Sequence, residues 1–132
     1  MTQMAQMEEK DVVEVGKKVV YVSGPITAGS AWEVEQNVRA AEAASAELFR
    51  RGVTNICVHS QGRFMDGLLE HGQWMAHDFA ILDRCDGLLV CVENFAHSKG
   101  TVMEVNRALE TGKRCFALSQ MDEIERWAKG LE

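Results

Sequence analysis

What this chain lacks narrows its class first. No apolar run among its 132 residues approaches the roughly 20 needed to cross a bilayer, and the stretch from Leu88 to Val92 is typical of those present. Basic residues are in deficit, 14 against 20 acidic ones for a net charge of −6, which argues against a protein that coats a nucleic-acid backbone. The four cysteines, Cys57, Cys85, Cys91 and Cys115, form no Cys-x-x-Cys pair and have no histidine at zinc-finger distance, so no metal and no cofactor is expected. They read instead as small hydrophobes in a reducing compartment. Glu8, Glu9 and Asp11 stand where a signal peptide would need a basic start and an apolar stretch. Internal repeats and low-complexity tracts are absent. The expectation is a soluble cytoplasmic protein with neither a nucleic-acid polymer nor a membrane as partner.

What is present has the content of one ordinary domain: 46% of the residues are apolar and 26% charged, enough to build a core and too ordinary for general disorder. Residues 1–16 are polar without a sustained period and read as a flexible lead-in to a single domain over 17–132. Val19 to Val22 is a short β-branched and aromatic run ending in Ser23-Gly24-Pro25, a buried strand entering a turn. Val34, Val38, Ala41, Ser45 and Leu48 recur at spacings of four and three, predicting a helix over Ala31–Arg51 that Gly52 stops. Further strands are predicted at Val53–His59, Gly87–Val92 and Cys115–Leu118. Helices are predicted at Gln73–Asp83, Thr101–Thr111 and Asp122–Lys129. Strands alternating with helices at this spacing predict an α/β domain with a parallel sheet of about four to five strands. Ligands of such sheets lie beyond the carboxyl ends of the strands, where the strand order reverses. That directs attention to the loops Ser23–Ser30, Ser60–Gly72 and Glu93–Gly100.

Three features of those regions have chemical potential, and each has an ordinary structural reading beside it. Asp78 falls between Trp74, Met75, Ile81 and Leu82 on a helical wheel, where a bare carboxylate would cost several kcal/mol to bury. It either accepts hydrogen bonds from a neighbouring loop or is a site carboxylate with a shifted pKa. Ser98, Lys99, Gly100 and Thr101 lead from a strand into a helix whose first N–H groups attract anions, with Glu104 close behind at the edge of a stripe of Val102, Val105 and Leu109. Thr101-x-x-Glu104 also has the form of a capping box. Tyr21, the one tyrosine, could reach the carboxyl edge of the sheet or simply bond a core carbonyl. His71 and His77 read as surface or loop residues.

In this order and spacing, the features resemble the nucleoside 2-deoxyribosyltransferase-like superfamily over about Val19 to Leu118. The marks are Val-Tyr-Val-Ser-Gly-Pro-Ile-Thr ending at Thr27, Asn37 in the first helix, Trp74-x-x-x-Asp78, Cys85-Asp86-Gly87, Ser98-x-Gly100-x-x-x-Glu104 and Gly112-Lys113. The resemblance implies a flavodoxin- or Rossmann-like three-layer sandwich. It also implies cleavage of the N-glycosidic bond of a 2′-deoxyribonucleoside or its 5′-monophosphate, by hydrolysis or by transfer of the base. Glu104 would hold the sugar covalently, Tyr21 would orient Glu104, and Asp78 would contact the sugar or protonate the departing base. Ser23, Gly24, Pro25, Ile26, Thr27, Asn37, Ser98, Lys99, Gly100 and Thr101 would bind substrate. Ser98 matches the branch acting on 5′-phosphates, whereas Thr27 stands where those hydrolases carry arginine. A homodimer or larger homo-oligomer with shared sites is implied as well. The alternatives are a nucleotide-binding module of the same fold that does no chemistry, and a small interaction protein in which Thr101 and Glu104 only cap a helix.

Overall fold

The computed structural model describes residues 7–13 and 15–131, so part of the expected lead-in, residues 1–6 and Glu14, lies outside the described residues. The chain forms strands β1 (Val19–Ser23), β2 (Thr54–Cys57), β3 (Gly87–Val90) and β4 (Arg114–Phe116). Between and after them run helices α1 (Ala31–Arg50), α2 (Val58–Gln61), α3 (His71–Leu82), α4 (Lys99–Glu110) and α5 (Met121–Ala128). The sheet is parallel throughout in the order β2-β1-β3-β4. With helices on both faces it is a flavodoxin- or Rossmann-like three-layer sandwich, whose strand order reverses at β1 and β3.

Local chemistry explains the main elements. Ser30 caps α1 by accepting from the Glu33 N–H at 3.2 Å, and the helix ends where Gly52 takes φ +74°, a conformation that suits a residue without Cβ. Side chains of β1 alternate between the two faces of the sheet, as the period of a strand requires. Val20 and Val22 pack with Ala41, Ala44 and Leu48 of α1 and with Ile124 and Trp127 of α5. Tyr21 packs on the opposite face with Leu82 of α3, Leu88 of β3 and Ala108 of α4. All four residues of β3 are buried, matching the unbroken apolar run that predicts cover on both faces.

Two motifs with no obvious task in the sequence prove to be architectural. Asp86 receives the Val19 N–H on its carboxylate and donates its own N–H to the Val19 carbonyl, both at 2.8 Å, which fixes the start of β1 against β3. Gly87 then leaves room for the indole of Trp127. Lys113 donates its Nζ to the Asp83 and Cys85 carbonyls at 3.2 and 2.8 Å, closing the end of α3.

The structure corrects the sequence at several strand ends and on one helix face: β3 stops at Val90 rather than Val92, and β4 spans Arg114–Phe116 rather than Cys115–Leu118. The predicted second strand ends at Cys57, because Val58 to Gln61 turn into α2, and the loop after it is shorter than Ser60–Gly72 since α3 already begins at His71. On α4 the buried face is Thr101, Glu104 and Ala108 rather than the stripe of Val102, Val105 and Leu109; Leu109 is exposed. The carboxylate of Glu104 is accommodated there because β1 supplies polar partners, so hydrophobicity alone misplaces that face.

A Cβ added at Gly87 would lie 2.7 Å from the Trp127 ring. Gly87→Ala is therefore expected to lower stability by about 1–3 kcal/mol, the range for overpacking a filled core, as read by thermal or urea unfolding.

Candidate active site

The period of two in β1 and of three to four in α4 meet at one point. Tyr21 and Ser23 face the same side of the sheet, and Glu104 projects toward them from α4. The Tyr21 hydroxyl donates to Glu104 Oε2, and Ser23 Oγ donates to Glu104 Oε1 at 2.7 Å. All three side chains are buried. Burial pushes the Glu104 carboxyl up to about 7, against the two hydrogen bonds that favour its charged form; nearby Asp78 adds to the rise. The Tyr21 phenol is held well above its usual range, by burial first and then by the Glu104 charge, so it stays a donor.

Glu104 opens onto a cavity of about 810 Å³ at the carboxyl ends of the strands. Its wall draws on all three loops singled out by the sequence: Gly24, Ile26 and Thr27; then Arg63, Phe64 and His71; then Ser98, Lys99, Gly100 and Thr101. Asp78 lines the same cavity from α3. Its carboxyl is raised by burial, opposed by His77, whose Nδ1 lies 3.4 Å from Oδ1. Trp74 and Met75 add apolar wall beside it. Among the described residues, no three His, Cys, Asp or Glu side chains are grouped as a metal site would require.

Other expected site residues stand behind the wall or beside it. Tyr21 and Ser23 have no exposed surface and act on the cavity through Glu104. Pro25 is buried, and its carbonyl faces His59. Asn37 is not part of the wall; its Nδ2 donates to the Ile26 carbonyl at 3.1 Å and braces the turn after β1. Gly24 serves packing, since a Cβ there would come within 2.3 Å of Cys91 Sγ.

The ordinary readings of two residues are overturned by geometry. Ser98, not Thr101, is the N-cap of α4, accepting the Thr101 N–H at 3.3 Å, so Glu104 lies beyond the first turn and makes no capping box. Tyr21 bonds a carboxylate rather than a core carbonyl. His71, exposed as its sequence reading expects, also borders the cavity.

Among the wall residues missed from the sequence are His59 and Arg63. His59, 3% exposed, places Nε2 at 3.1 Å from both the Gly24 and Pro25 carbonyls. Its signal was available: it lies two residues beyond the end of β2, at the edge where ligands of parallel sheets bind. Arg63 ties the long loop to α1 through Glu35 at 2.8 Å and Glu42 at 2.9 Å. Those bonds, with a further one from Ser60, hold the Glu42 carboxyl down at about 2. The charge of Arg63 is thus shared by two carboxylates, although it borders the cavity. Nothing in local periodicity marks that clasp, because its partners lie more than 20 residues away.

Fold and site together define a parallel α/β domain with a buried, hydrogen-bonded carboxylate lining its switch-point crevice. Residues 18–117 match the family described as a domain of unknown function, DUF4406, and the chain belongs to that family. Among the curated proteins, none matches it. No helix among the described residues is long and apolar enough to cross a membrane.

The raised Glu104 pKa has a stability consequence with a fixed sign. A carboxyl at about 7 in the fold and 4.5 ordinarily binds protons more tightly when folded, so the fold loses stability as pH rises through that window. Glu104→Gln, which cannot ionise, is expected to exceed wild-type stability above pH 7 by up to about 3 kcal/mol. The advantage should vanish toward pH 4; urea unfolding at pH 4.5, 6 and 8 measures it.

Proposed function

We propose that this protein cleaves the N-glycosidic bond of a 2′-deoxyribonucleoside or its 5′-monophosphate through a covalent glycosyl ester on Glu104. The observation that carries the reading is the pair of O–H donors from β1, one on each oxygen of a buried carboxylate that shares a cavity with Asp78. A carboxylate held by two fixed hydroxyls is aimed without being paired to a cation, which would blunt it as a nucleophile. The cavity volume lies in the range of small-molecule sites, and Phe64, Trp74 and Met75 give it an apolar side suited to a planar base.

In the first step a Glu104 oxygen attacks the anomeric carbon while the bond to the base breaks. The bonding pair leaves with the base, which takes a proton from Asp78. In the second step water attacks the same carbon, Asp78 takes the water proton, and the Glu104–sugar ester bond breaks. Free sugar and the original carboxylate result. A second base in place of water would give an exchanged nucleoside. This is the logic of a retaining glycosidase with two carboxyl groups. The burial that raises Asp78 favours its protonated form, as an acid requires.

For a phosphorylated substrate, the start of α4 is the place for the added charge. Ser98, Lys99 and Thr101 border the cavity there, beside N–H groups at the positive end of the helix dipole. The reading includes self-association, supported by Phe64 and Leu68, which are 92% and 70% exposed on the long loop.

Base release from the four deoxynucleoside monophosphates and their nucleosides, followed by chromatography, tests the reaction. Wild type is expected to release base and Glu104→Ala to lose at least about 1,000-fold in rate, as for removal of a covalent nucleophile. Equal release by both proteins refutes the assignment. Binding without turnover, little changed by Glu104→Gln, would instead identify a nucleotide-binding module. An added free base separates transfer from hydrolysis.

The pH profile supplies a second check. Glu104 reacts ionised and Asp78 protonated, so kcat/KM is expected to pass through a maximum with pH, with the limb that belongs to Glu104 near 7. Tyr21→Phe should move that limb to higher pH, because it removes one bond that favours the carboxylate.

A further inference from the structure

His59 is used by none of the steps above, yet it is the most enclosed titratable ring at the cavity. It lies 3% exposed between the end of β2 and the turn that follows β1. Its Nε2 is 3.1 Å from two carbonyl oxygens, those of Gly24 and Pro25. Carbonyls only accept, so Nε2 carries the proton and donates to both. Its Nδ1 is buried with no hydrogen-bond partner among the described residues. In the neutral ring that nitrogen is an acceptor, and a proton added there would find no buried acceptor to receive it. The charged groups that act on the ring are Asp78 from α3 and Glu42 from α1, and burial outweighs both in keeping it neutral.

The two carbonyls belong to the residues immediately after Ser23. Asn37 holds the next carbonyl, that of Ile26, from the other side. The end of β1 is therefore fixed on one side by the sheet, where Cys91 donates its N–H to the Ser23 carbonyl at 2.8 Å, and beyond it by His59. We propose that His59 is a positioning residue: its neutral Nε2–H gathers the Gly24 and Pro25 carbonyls and so sets the point from which Ser23 reaches Glu104. The proposal rests on the reading of Glu104 as the reactive group, and acts through Ser23 rather than on substrate.

Nitrogen-15 NMR of histidine-labelled wild type tests the first half without any variant. The ring of His59 should be neutral with the proton on Nε2 at pH 7; a proton on Nδ1, or a cation, overturns the proposal. The second half is read from the Glu104 titration by carboxyl carbon-13 NMR. His59→Leu removes the donor, loosens Ser23 and should raise the Glu104 midpoint above the wild-type value. His59→Gln offers an amide N–H in its place and should restore it. Identical midpoints in all three proteins overturn the proposal. With a cleaved deoxynucleoside as substrate, kcat should fall about tenfold in His59→Leu, the loss of one well-placed hydrogen bond, and recover in His59→Gln. If wild type releases no base but the midpoints move as stated, the glycosidic reading fails and the positioning role stands. If wild type turns over and the midpoints do not move, the reverse holds.

Discussion

The structure depends on one buried contact, the carboxylate of Glu104 held by Tyr21 and Ser23. A charge-bearing group on the inner face of a helix is tolerable only when its oxygens are satisfied, and here both are. The contact also ties α4 to β1 across the face of the sheet. It has an energetic cost, visible in a carboxyl raised to about 7 by burial even with two donors on it. A fold selected for stability alone would place an apolar residue there. That mismatch between packing and chemistry is the physical ground for treating the crevice as a site.

The remainder of the cavity extends the same theme of polar groups held by neighbours. Arg63 fastens the long loop to α1 through Glu35 and Glu42, and Asn37 and His59 fasten the turn after β1 from two directions. Groups that would otherwise be mobile at a loop tip are tied to rigid elements, the arrangement a precise site needs. Asp78 is the exception: burial raises its carboxyl, and the histidines that oppose the rise, His77 and His59, act on it without a cation held in a clasp.

Much of this was legible in the sequence because it follows from periodicity. The apolar run Val19 to Val22, the spacing of four and three along α1 and the stop at Gly52 are local signals, and the parallel sheet follows from the alternation of strands and helices. The position of the cavity followed too, since the carboxyl ends of parallel strands are where such folds bind ligands. The burial of Glu104 did not follow: its wheel position puts it beside valines, and only the long-range meeting with β1 turns that face inward. For the same reason Thr101 and Glu104 resemble a cap in sequence while Ser98 does the capping. His59 and Arg63 escaped notice because their partners are distant backbone carbonyls and helix carboxylates. The Asp86 and Lys113 motifs carry a different lesson, since their identities are explained by holding the frame together.

The pair of hydrogen bonds between Asp86 and Val19 reaches further than the edge it sits on. Because neighbouring side chains of an extended strand look in opposite directions, sliding β1 by a single position would present valines to Glu104 and turn the phenol and hydroxyl toward α1. Asp86 forbids that slip by clasping one residue's N–H and C=O at once. A surface aspartate far from the crevice thus sets the alignment that brings Tyr21 and Ser23 to Glu104.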